Sequence, residues 1–261
     1  MDFSRDYLVH YYEADPDQRL TLPSLVRYFE DIAILHSEDR GLGLGFYEQN
    51  HCGWMLIKWD IAVHALPSFT ESVRVSTKVH AMKKFLADRV FALHAADGTL
   101  LAEARSNWLF VDTVRRRPQR IEENQYSLFG VTPESEAQFV TIDDVGEIGA
   151  GPDGSNDARN TLYTATIRAA SSDIDTNRHV NNVSYLEWAL DSLPSDIVGS
   201  YSPTSLRAQY RKEIALGMEA RVHTSFDSVD AVSRHSVRSD AEEFCTLEIT
   251  WKRRQGVGDA R

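Results

Sequence analysis

One order of elements occurs twice along this chain: an extended opening, a helix, then four segments of strand character. In the first half Tyr7 to Glu13 reads as extended. Leu22 to Arg40 reads as a helix with Leu25, Phe29, Ile32 and His36 or Leu35 on one face and Gly41 at its end. Strands are predicted over Trp54 to His64, Val73 to Val79, Phe85 to Ala95 and Leu100 to Val111. In the second of these Val73, Val75, Thr77 and Val79 alternate with Arg74, Ser76 and Lys78, and Asp97-Gly98 marks a hairpin between the last two. The second half repeats the order. Leu162 to Ala169 is extended, and Val183, Leu186, Ala189, Leu190 and Leu193 recur at helical spacing before Pro194. Strands follow over Ser205 to Glu213, Met218 to Phe226, Val229 to Val237 and Phe244 to Trp251. A helix laid on an antiparallel sheet, written twice, is an α+β chain with an internal duplication.

Between the halves, Val145 to Asn160 is rich in Gly, Asp, Asn and Ser and has no apolar periodicity, which predicts a linker; Gln119 to Asp144 is less readable. The division expected is residues 1–130, a linker over 131–160, and 161–261. With 261 residues, 42% of them hydrophobic, the chain can bury a substantial core. No apolar run approaches the roughly 20 residues a membrane helix needs, and the start has no basic region followed by an apolar one, so the expected location is cytoplasmic. A formal charge of −11 argues against nonspecific nucleic-acid binding. Cys52 and Cys245 are too few for a disulfide framework and read as buried small hydrophobes. No His-Glu-x-x-His, Cys-x-x-Cys or glycine-rich phosphate loop is present, so neither a metal nor a cofactor is indicated; Gly41 to Gly45 reads as a connector.

The chemistry concentrates in Ser172 to Trp188, where acid, amide and imidazole side chains crowd the entrance to the second helix. Backbone amides at a helix N-terminus carry partial positive charge and suit a developing oxyanion. Asp175, Asn177 and His179 alternate, so an extended segment would present all three on one side. The ordinary alternative is that Asp and Asn cap and His bonds locally.

The longer stretch resembles the signature of the fatty acyl-ACP thioesterases, the plant and bacterial enzymes that release fatty acids from acyl carrier protein. Their acid, Asn, His, Val-Asn-Asn and helical aromatic are matched by Asp175, Asn177, His179, Val180-Asn181-Asn182 and Tyr185 or Trp188. The resemblance extends to Trp54-Met55-Leu56-Ile57, to Trp108-Leu109-Phe110 with the arginines after it, and to Tyr210-Arg211-Lys212-Glu213. It implies two hotdog units in tandem, the first supplying the acyl pocket and the second the catalytic groups. Because single-unit hotdog enzymes pair into dimers, the tandem chain would be a monomer or a homodimer. Where the plant enzymes have Arg-Arg-Glu-Cys, this chain has Arg211-Lys212-Glu213-Ile214, so the resemblance makes Glu213 catalytic and removes a cysteine nucleophile. Absence of a plastid transit peptide points to a bacterial member.

The implied reaction is hydrolysis of a fatty acyl thioester, with Asp175, Asn177, His179 and Glu213 at the site. Either Asp175 attacks the carbonyl, or Asp175 or Glu213 deprotonates a water. Asn177 would orient the acid or the water, and His179 would bond the thioester or assist the leaving thiol. The implied partner is acyl carrier protein with a phosphopantetheine-linked acyl chain. It is itself acidic, which calls for a local basic patch: the arginines at 115–117 and 120, Lys83 with Lys84, or Arg207, Arg211 and Lys212, each equally readable as a solvated face. The alternatives are an acyl-CoA thioesterase, a hotdog hydratase and a non-catalytic thioester binder, the last of which lacks a DNA-binding helix-turn-helix here.

Overall fold

The computed structural model describes residues 3–145, 148 and 160–254. Of the expected linker over 131–160, residues 131–145, 148 and 160 are described, and most of the Gly- and Asp-rich stretch from Val145 to Asn160 lies outside the described residues. The chain divides into two compact units, residues 1–143 and 144–261.

The first unit runs β1 (Phe3–Leu8), α1 (Leu22–Asp39), α2 (Leu44–Gln49), β2 (Cys52–Val63), β3 (Ser72–Lys83), β4 (Leu86–Ala95), β5 (Leu100–Asp112), β6 (Arg117–Pro118) and α3 (Glu123–Leu128). Its strands pair antiparallel in the order β1-β3-β4-β5-β2, with β6 on β5. Helix α1 is capped by Thr21, whose hydroxyl accepts from Ser24 N–H at 3.2 Å, and it ends before Gly41 at φ +72°. Its inward face is Leu25, Phe29, Ile32 and His36, all fully buried, so His36 takes the place that Leu35 could have held. Phe29, Trp59 and Phe91 form an aromatic knot with ring centroids 5.0 to 6.1 Å apart. The Asp97-Gly98 hairpin is present, with Gly98 alone at positive φ and Asp97 Oδ1 accepting from Thr99 N–H at 2.9 Å.

The second unit runs β7 (Asn160–Arg168), α4 (Asn182–Asp191), α5 (Ser195–Ser200), β8 (Tyr201–Tyr210), β9 (Glu219–Asp227), β10 (Val232–Arg238) and β11 (Glu243–Arg253). Its order, β8-β11-β10-β9-β7, repeats the first unit's strand for strand. The α+β tandem hotdog architecture is thus present, one sheet and one long helix per unit. Helix α4 packs on β9, β10 and β11 through Val183, Leu186 and Ala189. Beneath the helix end, a polar chain links Ser192 to Thr224 at 2.5 Å, Thr224 to His235 Nδ1 at 2.8 Å, His235 Nε2 to Ser233 at 2.9 Å, and Ser233 to Trp251 Nε1 at 2.9 Å. A core imidazole is tolerated there because both ring nitrogens are bonded.

Two local readings differ from the structure. The opening strand is Phe3–Leu8 instead of Tyr7 to Glu13, where residues 11–13 make a single 3₁₀ turn. Helices α2, α3 and α5 were not predicted, since six residues are too few to show a 3.6 period. Cys52 and Cys245 are buried free thiols, as expected. Among the described residues no helix is long and apolar enough to cross a membrane.

Candidate active site

The loop before α4 is a tight turn and not the extended segment that the alternation of Asp175, Asn177 and His179 suggested. Ile174 bridges Val180, and Asp175 N–H donates to His179 C=O at 2.9 Å. Arg178 N–H donates to Asp175 C=O at 3.0 Å, and Arg178 itself sits at φ +66°. The Asp175 carboxylate organises the turn from inside. Its Oδ1 accepts from Asn177 N–H at 2.8 Å and from His179 N–H at 3.3 Å, while Oδ2 accepts from Asn177 Nδ2 at 3.1 Å. An Asp that bonds the backbone two residues on is the usual nucleus of such a turn. The Asp175 and Asn177 side chains therefore meet, and the His179 backbone joins them, through closure of a loop instead of through a strand pleat.

The first unit contains the same turn. Asp15 N–H donates to Arg19 C=O at 2.8 Å, and Asp15 Oδ1 accepts from Asp17 and Arg19 N–H at 2.9 Å each. Gln18, in the place of Arg178, sits at φ +62°. This fixes the register of the duplication: Asp15 matches Asp175, Asp17 matches Asn177 and Arg19 matches His179. The backbone role of Asp175 thus belongs to the fold. The amide and the imidazole are what the second unit adds.

Glu213 completes the group. His179 Nε2 lies 3.3 Å from Glu213 Oε2, with the two side chains 31% and 27% exposed, so the pair is open to a substrate without being fully solvated. Of the two neighbouring cations, Arg211 Nε is 3.2 Å from Glu243 and Lys212 pairs with Glu242. Val180 N–H donates to Ile214 C=O at 2.9 Å, tying the segment after β8 to the turn. In the first unit the equivalent bond runs from Leu20 N–H to Pro67 C=O at 2.8 Å, which puts Leu66 in the position of Glu213.

One other expectation changes. The amides at the start of α4 were assigned to an oxyanion, but Asn181 Oδ1 holds Val183 N–H at 2.8 Å and Asn181 C=O holds Ser184 N–H at 3.0 Å. Two amides of the first turn of α4 are thus held by its own cap. A thiol does stand near the site, since Cys245 acts electrostatically on Tyr185. Complete burial, with Glu243 adding to it, pushes the Cys245 thiol well above its ordinary value, so it stays protonated and is a poor nucleophile. Sequence reasoning gave no role to the hydroxyl of Tyr185, which bonds the peptides on either side of Glu213. The available signal was the duplication, which aligns Tyr185 with Leu25 and Ile214 with Pro67.

Comparison with known proteins bears on this geometry. The family described as acyl-ACP thioesterase N-terminal domain matches residues 1–129, and that described as acyl-ACP thioesterase C-terminal domain matches residues 157–253. A palmitoyl-acyl carrier protein thioesterase of Gossypium hirsutum is 28% identical over 219 residues, covering 81% of this chain and 52% of the relative. The chain thus spans about half the length of that curated relative. Two solved structures share the fold. An acyl-ACP thioesterase from Bacteroides thetaiotaomicron has a TM-score of 0.76 at 24% identity, covering 96% of this chain and 97% of that one. A 12:0-ACP thioesterase from Umbellularia californica has a TM-score of 0.80 at 21% identity, covering 97% of each chain.

Proposed function

This chain belongs to the acyl-ACP thioesterase family, and on that premise we propose that it hydrolyses the thioester of fatty acyl-acyl carrier protein to free fatty acid and the carrier's phosphopantetheine thiol. The observation that carries the reading is the His179–Glu213 contact of 3.3 Å beside the Asp175 turn. A base oriented by a third group is the general arrangement for activating a nucleophile.

In this reading Glu213 holds the Nε2 side of the imidazole, and Nδ1 takes a proton as water oxygen bonds to the thioester carbon. The tetrahedral intermediate then collapses, the C–S bond breaks, and the imidazolium returns its proton to the departing sulfur. Asn177 Nδ2 carries two hydrogens, one of them engaged with Asp175; the second is the donor assigned to the thioester oxygen. One such donor contributes about 2.7 to 4 kcal/mol. Asp175, with both oxygens already bonded inside the turn, holds Asn177 and the turn instead of attacking.

That division of roles makes Asp175→Asn and Asp175→Ala separable. The asparagine keeps an acceptor for the Asn177 and His179 amides, so it should hold native stability and stay within about tenfold of native turnover. Alanine should lose the turn, at a cost of about 1 kcal/mol, and most of the activity. If asparagine inactivates as fully as alanine with stability intact, the reaction needs the carboxylate, either for chemistry or as the Oδ2 acceptor that holds Asn177 Nδ2.

The acyl pocket is assigned to the first unit, whose interior is built on Phe29, Trp59 and Phe91. The second unit's helix–sheet layer instead carries the hydroxyl and imidazole chain around His235. A buried methylene is worth about 0.8 kcal/mol, so chains two carbons apart differ by about tenfold unless a closed end excludes the longer. For docking an acidic carrier, the candidates narrow. Arg207, Arg211, Lys212, Arg115 and Lys83 all face carboxylates of this chain. Lys84, Arg117 and Arg120 are exposed, and Ile121 N–H donating to Lys84 C=O at 2.8 Å brings Lys84 beside Arg120. Reversing the charge of Lys84 and Arg120 together should raise KM for acyl-ACP several-fold at low salt and leave kcat alone, with the difference fading as salt screens it.

The test of the whole reading is turnover of acyl-ACPs of graded chain length, with released thiol and free acid measured together. Stoichiometric acid and thiol, with one preferred length, is the expected result. No thiol release at any length, an enoyl product, or faster turnover of the matching acyl-CoAs would overturn it.

A further inference from the structure

The geometry points to Tyr185 as a positioning residue for Glu213: its phenol bridges the two peptide groups on either side of Glu213 and so fixes the carboxylate against His179. The hydroxyl oxygen accepts from Ile214 N–H at 3.2 Å and donates toward Lys212 C=O at 3.5 Å. These are the peptides immediately after and before Glu213. With Ile214 C=O also held by Val180 N–H at 2.9 Å, the backbone at Glu213 is tied both to α4 and to the catalytic turn.

Tyr185 can serve as a fixed point because it does not move itself. It is 2% exposed, its ring packs against Trp188 at 5.4 Å and Tyr210 at 5.8 Å, and it sits in the second turn of α4. Burial first and Cys245 next push the phenol well above its ordinary value, the Ile214 amide opposes them, and Glu213 and Asp175 add smaller upward effects. It is a neutral hydroxyl across any working pH, able to donate and accept at once. The chain segment it holds is otherwise anchored from the other side, through Arg211 to Glu243 and Lys212 to Glu242.

The internal duplication shows what the clamp is for. The first unit places Leu25, fully buried, at the position of Tyr185, and Pro67, which has no N–H, at the position of Ile214. Where no carboxylate has to be presented, the hydroxyl and the amide it holds are both absent. A purely structural account would have Tyr185 do no more than satisfy the buried Ile214 amide. The two accounts differ in whether loss of the hydroxyl moves Glu213.

This inference rests on the proposed His179–Glu213 chemistry, and the experiment separates the two. Tyr185→Phe is compared with the native protein, with Glu213→Gln and with the double variant, using the acyl-ACP preferred in the graded assay. The His179 ring is followed by NMR titration in each. Positioning predicts a loss in kcat of about ten- to a hundredfold with KM little changed. It also predicts a His179 titration displaced toward that of Glu213→Gln, and little further loss when the two substitutions are combined. Native kcat and native His179 titration in Tyr185→Phe, or an equal loss with and without Glu213, would overturn it. Full activity of Glu213→Gln would instead overturn the proposed chemistry. If Tyr185→Phe does not fold, the pair Tyr185→Leu with Ile214→Pro, which copies the first unit and leaves no orphaned amide, is read in the same way.

Discussion

Replacing His179 by alanine, or Glu213 by glutamine, is expected to lower acyl-ACP hydrolysis by about 10²- to 10⁴-fold, the range for loss of a positioned acid–base group. The fold should survive. The two side chains are 31% and 27% exposed, so neither substitution opens a core cavity or strands a buried charge. The backbone of the turn is held by Asp175 and by the Val180–Ile214 bond, neither of which involves the replaced groups. Thermal unfolding of the variants should therefore follow that of the native protein, with the loss falling on kcat. Native turnover in either variant would remove that residue from the mechanism. An equal loss in Arg19 variants, at the matched position of the first unit, would show that turn geometry and not the imidazole is being measured.

The second large effect is on stability and comes from histidines remote from the site. His36 and His235 are both fully buried and both lowered from the ordinary 6.5 to about 3. For His235 the cause is burial, with its two ring nitrogens bonded to the Thr224 and Ser233 hydroxyls. For His36 burial is again the largest cause, with Arg89 Nη1 at 3.0 Å and Arg40 Nε at 3.3 Å disfavouring the cation further. Both rings are neutral in the folded protein. Above pH 6.5 they are neutral in the unfolded chain as well, so they contribute no pH dependence there. As pH falls from 6.5 toward 3 the unfolded chain binds protons that the folded one does not, and stability is lost across that window. Each pKa unit is worth about 1.4 kcal/mol, so each histidine can withdraw several kcal/mol by the bottom of the window, a large share of a typical stability. Urea unfolding at pH 7.5, 6.5 and 5.5 should show the fall beginning before carboxylates titrate. His235→Gln should flatten the curve between pH 6.5 and 5.5. A flat native curve over that interval would contradict the burial of both rings as neutral groups.

The sequence by itself determined the double order of helix and strands, because period-2 and period-3.6 apolar patterns are local and each half carries its own: Val73 to Val79 and Met218 to Phe226 show the first, Leu25 to His36 and Val183 to Leu193 the second. It also singled out Asp175, Asn177, His179 and Glu213 through a motif specific enough to place a family. It could not show how those groups meet. Alternation suggested an extended strand, whereas a carboxylate with two acceptor oxygens and a residue at positive φ closed a turn instead, a choice fixed by hydrogen bonds across five residues. The first-half counterpart, Asp15 to Arg19, was legible as a loop without Asn-x-His, but its register was not, and only the shared turn of Asp15 and Asp175 fixed it. What sets the second unit apart is Glu213, brought from the end of β8 to within 3.3 Å of His179 by sheet pairing and a buried tyrosine. Contacts between residues this distant in the chain depend on how strands and helix pack, and only the tertiary structure decides that.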